Sequence, residues 1–66
     1  MSANNFIEIK KKGKVYIISE KDADTYYVHQ KIGEAKTLDK AVKMAQDYEE
    51  KLSEDGFYIE YGIKIR

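Results

Sequence analysis

The sequence predicts an α+β domain of order β-β-β-α-β, with one helix packed on one face of an antiparallel four-stranded sheet. Two changes of period carry that reading. Apolar residues recur in twos from Phe6 to Ile32, at threes and fours from Leu38 to Leu52, and in twos again from Phe57 to Ile65. Period two is that of a strand with one buried face, and a period near 3.6 is that of an amphipathic helix. The links between the first three runs are short, which makes those strands an antiparallel meander.

Residues 1–5 are expected to be a disordered N-terminus, and 6–66 a single domain. The first strand carries Ile7 and Ile9, the second Val15-Tyr16-Ile17-Ile18, and the third Tyr26-Tyr27-Val28 through Ile32, all β-branched or aromatic types that suit a pleated surface. Gly13, within Lys11-Lys12-Gly13-Lys14, supplies the positive φ of a tight hairpin, and the aspartates of Lys21-Asp22-Ala23-Asp24 favour a second turn. Thr37 is placed to cap the helix by accepting from an unpaired first-turn amide, with Asp39 favourably in that turn. The buried stripe is Leu38, Ala41, Val42, Ala45, Tyr48 and Leu52, with Gly56 ending the segment and the helix proper stopping near Leu52 or Ser53. Glu49, Glu50, Glu54 and Asp55 oppose the macrodipole, which predicts a frayed last turn. The final strand is expected to bury Phe57, Ile59, Tyr61, Ile63 and Ile65 and to turn Tyr58, Glu60, Gly62, Lys64 and Arg66 away.

Hairpin register decides what the second sheet face carries. A three-residue first turn pairs Ile7 with Ile17 and Ile9 with Val15, and the second turn then aligns Ile17 with Val28 and Ser19 with Tyr26. That register gives the helix a β-branched floor and leaves Glu8, Lys10, Tyr16, Ile18, Tyr27, His29, Tyr58, Glu60, Lys64 and Arg66 on the opposite face. A two-residue turn, pairing Ile9 with Tyr16 and Ile7 with Ile18, swaps the faces of the second strand. In either case one helix leaves one sheet face uncovered.

Composition narrows the function classes. The chain has 66 residues, 12 basic against 12 acidic side chains, one His and no Cys, Pro or Trp. A chain this short has room for a single core and little room for a buried multi-residue active site. Without cysteine there is no disulfide framework or thiolate nucleophile, and His29 alone cannot assemble the usual zinc sets. No catalytic residue, metal site, cofactor or small-molecule substrate is predicted. His29 has no Ser, Cys or Asp that sequence spacing sets beside it, and Gly33-Glu34-Ala35-Lys36 lacks the spacing of a phosphate loop. No apolar run reaches the ~20 residues of a membrane span, and the start has neither a charged nor an apolar signal region, so the chain is expected to be cytoplasmic with no membrane partner.

The expected function is therefore a non-enzymatic binding module acting through a protein interface on the uncovered face, with Tyr16, Ile18, Tyr27, His29 and Tyr58 as contacts. The partner is a second copy, a larger protein, or both, in an inhibitor or antitoxin-like role. The alternative is single-stranded nucleic acid, stacked on sheet tyrosines and neutralised by Lys10, Lys11, Lys12, Lys14, Lys64 and Arg66. Charge is segregated along the chain: residues 1–21 hold five lysines and two glutamates, residues 37–56 six acids and three lysines.

The β-β-β-α-β order, with Thr37-Leu38-Asp39-Lys40-Ala41 opening the helix, resembles the HicB-type antitoxin fold, whose helix starts with a similar Thr-Leu-x-x-Ala stretch. The likeness covers about five residues plus the element order, and the Pro- and Gly-containing segment typical of that family before the helix is absent. The resemblance implies a dimer that binds a toxin, without the DNA-binding extension that some members carry.

Overall fold

A computed structural model describes residues 2–66. The elements are β1 (Ser2–Ala3), β2 (Asn5–Lys12), β3 (Val15–Asp22), β4 (Val28–Ala35), α1 (Leu38–Glu54), β5 (Tyr58–Ile59) and β6 (Ile63–Ile65). The fold is α+β, one helix against a four-stranded sheet ordered β4-β3-β2-β6. That sheet is mixed where an antiparallel one was expected. The meander β2-β3-β4 is antiparallel, but β6 lies parallel to β2, because the helix carries the chain back before it rejoins the sheet. A second, two-stranded parallel sheet joins β1 to β5.

Residues 2–5 therefore depart from the disordered segment expected of them: Ser2 and Ala3 pair with Tyr58 and Ile59, and Asn5 is buried in β2. Met1, also part of that expectation, lies outside the described residues. The last strand is broken as well. Gly62 adopts φ 70°, a left-handed conformation that ends pairing to β1 and lets the chain rejoin the sheet along β2, through Tyr61 N–H to Asn5 O (3.0 Å) and Ile7 N–H to Gly62 O (2.9 Å). Only Ile59 is buried and Ile63 half-buried, while Phe57, Tyr61 and Ile65 stand exposed.

The first hairpin differs from both registers weighed from sequence. Lys12 pairs with Val15 across the two-residue loop Gly13–Lys14, so that Ile9 faces Ile18 and Ile7 faces Glu20. Gly13 has φ 64° and Lys14 does not, the arrangement of a turn with its left-handed residue first. Cross-strand partners share a face, so Tyr16, Ile18 and Glu20 join Ile7 and Ile9 beneath the helix, while Ile17, Ser19 and Lys21 turn the other way. The third strand starts two residues later than expected and runs to Ala35, with two register irregularities against β3, and pairs Ile17 with Glu34 where Val28 was expected.

The core is Ile7, Ile9, Ile18, Ala35, Ala41, Ala45 and Ile59, with Tyr16, Ile32, Val42, Met44, Tyr48, Leu52 and Ile63 packed around it. Thr37 caps α1 as predicted, its hydroxyl accepting from Lys40 N–H (3.2 Å). The last turn, expected to fray, extends to Glu54 and is tied by Gly56 N–H to Ser53 O and Phe57 N–H to Leu52 O. These are the paired bonds of a Schellman motif, with Gly56 at φ 85°. Among the described residues, no helix is long and apolar enough to cross a membrane.

Candidate functional site

The sheet face away from α1 is lined by charge. Along β2 the outward residues are Phe6, Glu8, Lys10 and Lys12; β3 adds Ile17, Ser19 and Lys21; β4 adds Val28, Lys31 and Glu34; and Lys64 and Arg66 come in beside β2. A shallow concavity of about 310 Å³ runs over this face, lined by Lys10, Lys12, Lys21, Glu8, Ile17, Ser19 and Val28. Glu8, nearly buried, is shared between Lys21 (2.7 Å) and Arg66 (3.8 Å), which fixes two cations with one carboxylate. Lys31 is paired with Glu34. Among the described residues, Lys10 and Lys12 form no ion pair, and both are exposed.

At one end of this face Phe6 is completely buried although no helix covers it. Its cover is cationic and aromatic. Lys64 Nζ lies 5.2 Å and the Arg66 guanidinium 5.6 Å from its ring centre, and the Tyr26 ring meets it edge-on at 5.9 Å and 86°. The Arg66 guanidinium also lies 5.3 Å from the Tyr26 ring centre. Tyr26 has φ 61°, the one non-glycine residue in the left-handed region among those described. Asp22 holds it there. The Asp22 carboxylate accepts from the backbone N–H groups of Asp24 and Thr25 (2.9 Å each), and its carbonyl accepts from Tyr26 N–H (2.9 Å). Those two N–H donors, Thr25 first and Asp24 next, keep the Asp22 carboxyl below its usual 3.8.

On the helix side a polar network crosses the edge of the core. Tyr48 O–H donates to Glu20 (2.5 Å), Gln30 donates to the Tyr48 hydroxyl (2.6 Å), and Asn5 donates to the other Glu20 oxygen while accepting from Glu60 N–H (3.3 Å). Burial first, and then the bond and negative charge of Glu20, push the Tyr48 phenol up to about 12. A cavity of about 270 Å³ opens beside it, lined by Gln30, Tyr48, Lys51, Leu52 and Asp55. The network ties β2, β3, β4 and α1 together, which is a structural task.

The residues expected at a protein interface do not share one surface. Ile18 is fully buried in the core and Tyr16 packs at its margin, both beneath the helix, because the two-residue loop shifts β3 by an odd number of positions from the expected register. Tyr27 sits in the loop before β4, its exposed ring edge-on to His29 at 5.7 Å, and His29 Nε2 is 4.0 Å from Asp22. Tyr58 is exposed on β5. Of the expected phosphate contacts, Lys10, Lys12, Lys64 and Arg66 share the open face. Lys14 is in the loop, and Lys11 turns to the helix side, 6.0 Å over the Tyr16 ring. Phe6, Lys21 and Tyr26 belong to the face and were not placed there from sequence, whereas Glu8 lies on it as expected. The parity of β2 marks Phe6 and Glu8; nothing short of the hairpin register marks Lys21.

Among the described residues no group of His, Cys, Asp and Glu is arranged to hold a metal ion. No protein-family model, curated protein or solved structure matches this chain.

Proposed function

We propose that this chain is a non-enzymatic binding module whose uncovered sheet face holds a single-stranded nucleic acid. The observation that carries the reading is the sorting of charge by layer. Among the described strand residues, Lys10, Lys12, Lys21, Lys31, Lys64 and Arg66 share the open face with Glu8 and Glu34, and Asp22 and Asp24 lie in the loop that carries Tyr26, whereas α1 and its cap bear Asp39, Asp47, Glu49, Glu50, Glu54 and Asp55 against three lysines. Phosphate neutralisation by such cations supplies most non-specific affinity. The concavity between Lys10, Lys12 and Lys21 offers a track for a backbone, and Phe6 and Tyr26 stand at its end. A protein partner is the second reading, favoured by exposed Phe57, Tyr58 and Tyr61. Two copies meeting open face to open face would set like charges together.

The test is fluorescence anisotropy with a labelled single strand over a salt series. Wild type is expected to bind with a Kd of about 1–100 μM at physiological salt. Changing Lys10→Glu and Lys12→Glu together should weaken binding at least about tenfold and flatten the log–log salt slope by about 1.4, at about 0.7 for each lost phosphate contact. Compared with either single variant, Lys10→Glu or Lys12→Glu, Lys11→Glu makes the same charge change on the same strand but on the helix side, and should have a much smaller effect. No binding at low salt, or equal losses from the two faces, would overturn the reading. Salt-insensitive dimerisation with no strand bound would favour the second.

A further inference from the structure

We propose that Tyr26 is the residue on which a nucleobase stacks, with Arg66 backing its ring. This rests on the single-strand reading above and assigns it a specific contact that the lysines cannot provide. An aromatic residue at φ 61° is under backbone strain that glycine or asparagine at the same position would relieve, and such strain persists only where the surroundings impose it. Here Asp22 imposes it: its carboxylate accepts from Asp24 N–H, Thr25 N–H and the Thr25 hydroxyl, its carbonyl accepts from Tyr26 N–H, and its own N–H donates to Tyr27 O. The result is a ring delivered to the open face and left 54% exposed, although it already touches Phe6 and Arg66.

The surroundings suit a base more than they suit a core. The Arg66 guanidinium is a planar cation held by Glu8 and set over the ring, so it supports the phenol from one side and adds charge beside whatever occupies the other. Lys64 lies over Phe6, and Lys21, the cross-strand partner of Phe6, lines the concavity that leads to Lys10 and Lys12. A strand whose backbone follows that concavity reaches Tyr26 at its end, where an unstacked base has a π-face to meet. Every base has such a face, so the contact is tolerant of sequence but requires a base free of its duplex.

Strain makes the proposal separable from folding. Tyr26→Asn removes the ring while placing a residue that accepts the left-handed conformation, and Tyr26→Phe keeps the ring. With a labelled oligothymidylate of about ten nucleotides, Tyr26→Asn is expected to bind about 5- to 100-fold more weakly and Tyr26→Phe nearly as wild type. Heparin, a polyanion without bases, should bind wild type and Tyr26→Asn alike. The chain has no tryptophan, so Tyr26→Trp carries the sole indole, and its emission should be quenched by the oligothymidylate and unchanged by heparin. Circular dichroism of each variant establishes that it is folded. Should wild type bind neither polymer, the single-strand reading falls, and this assignment with it. Should it bind both while folded Tyr26→Asn loses nothing and the indole emission stays constant, the assignment alone is overturned. Equal losses toward heparin and oligothymidylate would also overturn it, by showing that Tyr26 only shapes the cationic face.

Discussion

Tyr48 holds its proton because of where its hydroxyl ends, against the Glu20 carboxylate at the rim of the core. Burial disfavours the phenolate first, and ionisation would also put a second negative charge beside that of Glu20, so the phenol is displaced from 10.0 to about 12 in the folded chain. The sign follows directly. The native state favours the protonated form, so this contribution to stability is complete below pH 10 and is lost as pH rises through 12. In an alkaline absorbance titration, a late step belonging to Tyr48 should appear well above pH 10, or only as the chain unfolds. Tyr48→Phe should abolish that late step and destabilise the fold by about 1 kcal/mol at neutral pH, because it leaves Glu20 short of a donor. Asp22 runs the opposite way. Its lowered carboxyl stabilises the fold above its unfolded value of 3.8, and that contribution is lost as pH falls through the folded value. Neither group stood out in the sequence as a titration site. Tyr48 reads there as one member of a helical stripe, and its partner Glu20 comes from a strand whose facing the pattern leaves open.

The strands show why the elements were legible and their facing was not. Helix, cap and C-terminal glycine follow from periodicity and short-range hydrogen bonding, and Thr37, Ala41, Ala45 and Gly56 occupy the roles their spacing assigns. In β3, by contrast, Val15, Tyr16, Ile17 and Ile18 are apolar at both parities, so the hydrophobic pattern cannot choose a face. The loop chooses. With Gly13 left-handed and only Lys14 beside it, Ile9 meets Ile18, Tyr16 leaves the open face and Lys21 enters it. A β-carbon added at Gly13 meets nothing within 4 Å, so an effect of substitution there reports backbone conformation alone. Gly13→Ala should destabilise the chain by about 1–2 kcal/mol, and Gly13→Asn by distinctly less, as read from denaturant midpoints. An unchanged midpoint for Gly13→Ala would mean that the loop does not need its left-handed residue. The same reasoning explains the broken last strand, where an unbroken alternation hides the left-handed turn at Gly62 and with it the parallel pairing of β6 to β2.

A net charge of zero looks incompatible with a polyanion partner only if the molecule is treated as a point. It is two layers about 15 Å thick, cationic on the sheet side and acidic on the helix side. At about 0.15 M salt the Debye length is about 8 Å, shorter than the molecule is thick, so a strand approaching the sheet is screened from the helix carboxylates behind it. At about 0.01 M the length grows to about 30 Å and exceeds the thickness, so those carboxylates then oppose binding through the body of the protein. The exposed acids Asp47, Glu50 and Glu54 lie on α1, away from the open face. Replacing them together as Asp47→Asn, Glu50→Gln and Glu54→Gln should therefore tighten single-strand binding severalfold near 0.01 M salt and leave it unchanged near 0.15 M. A gain of equal size at both salts would instead place the strand against the helix layer. No change at either would mean that affinity is set by close contacts on the sheet, with the far layer irrelevant at every ionic strength.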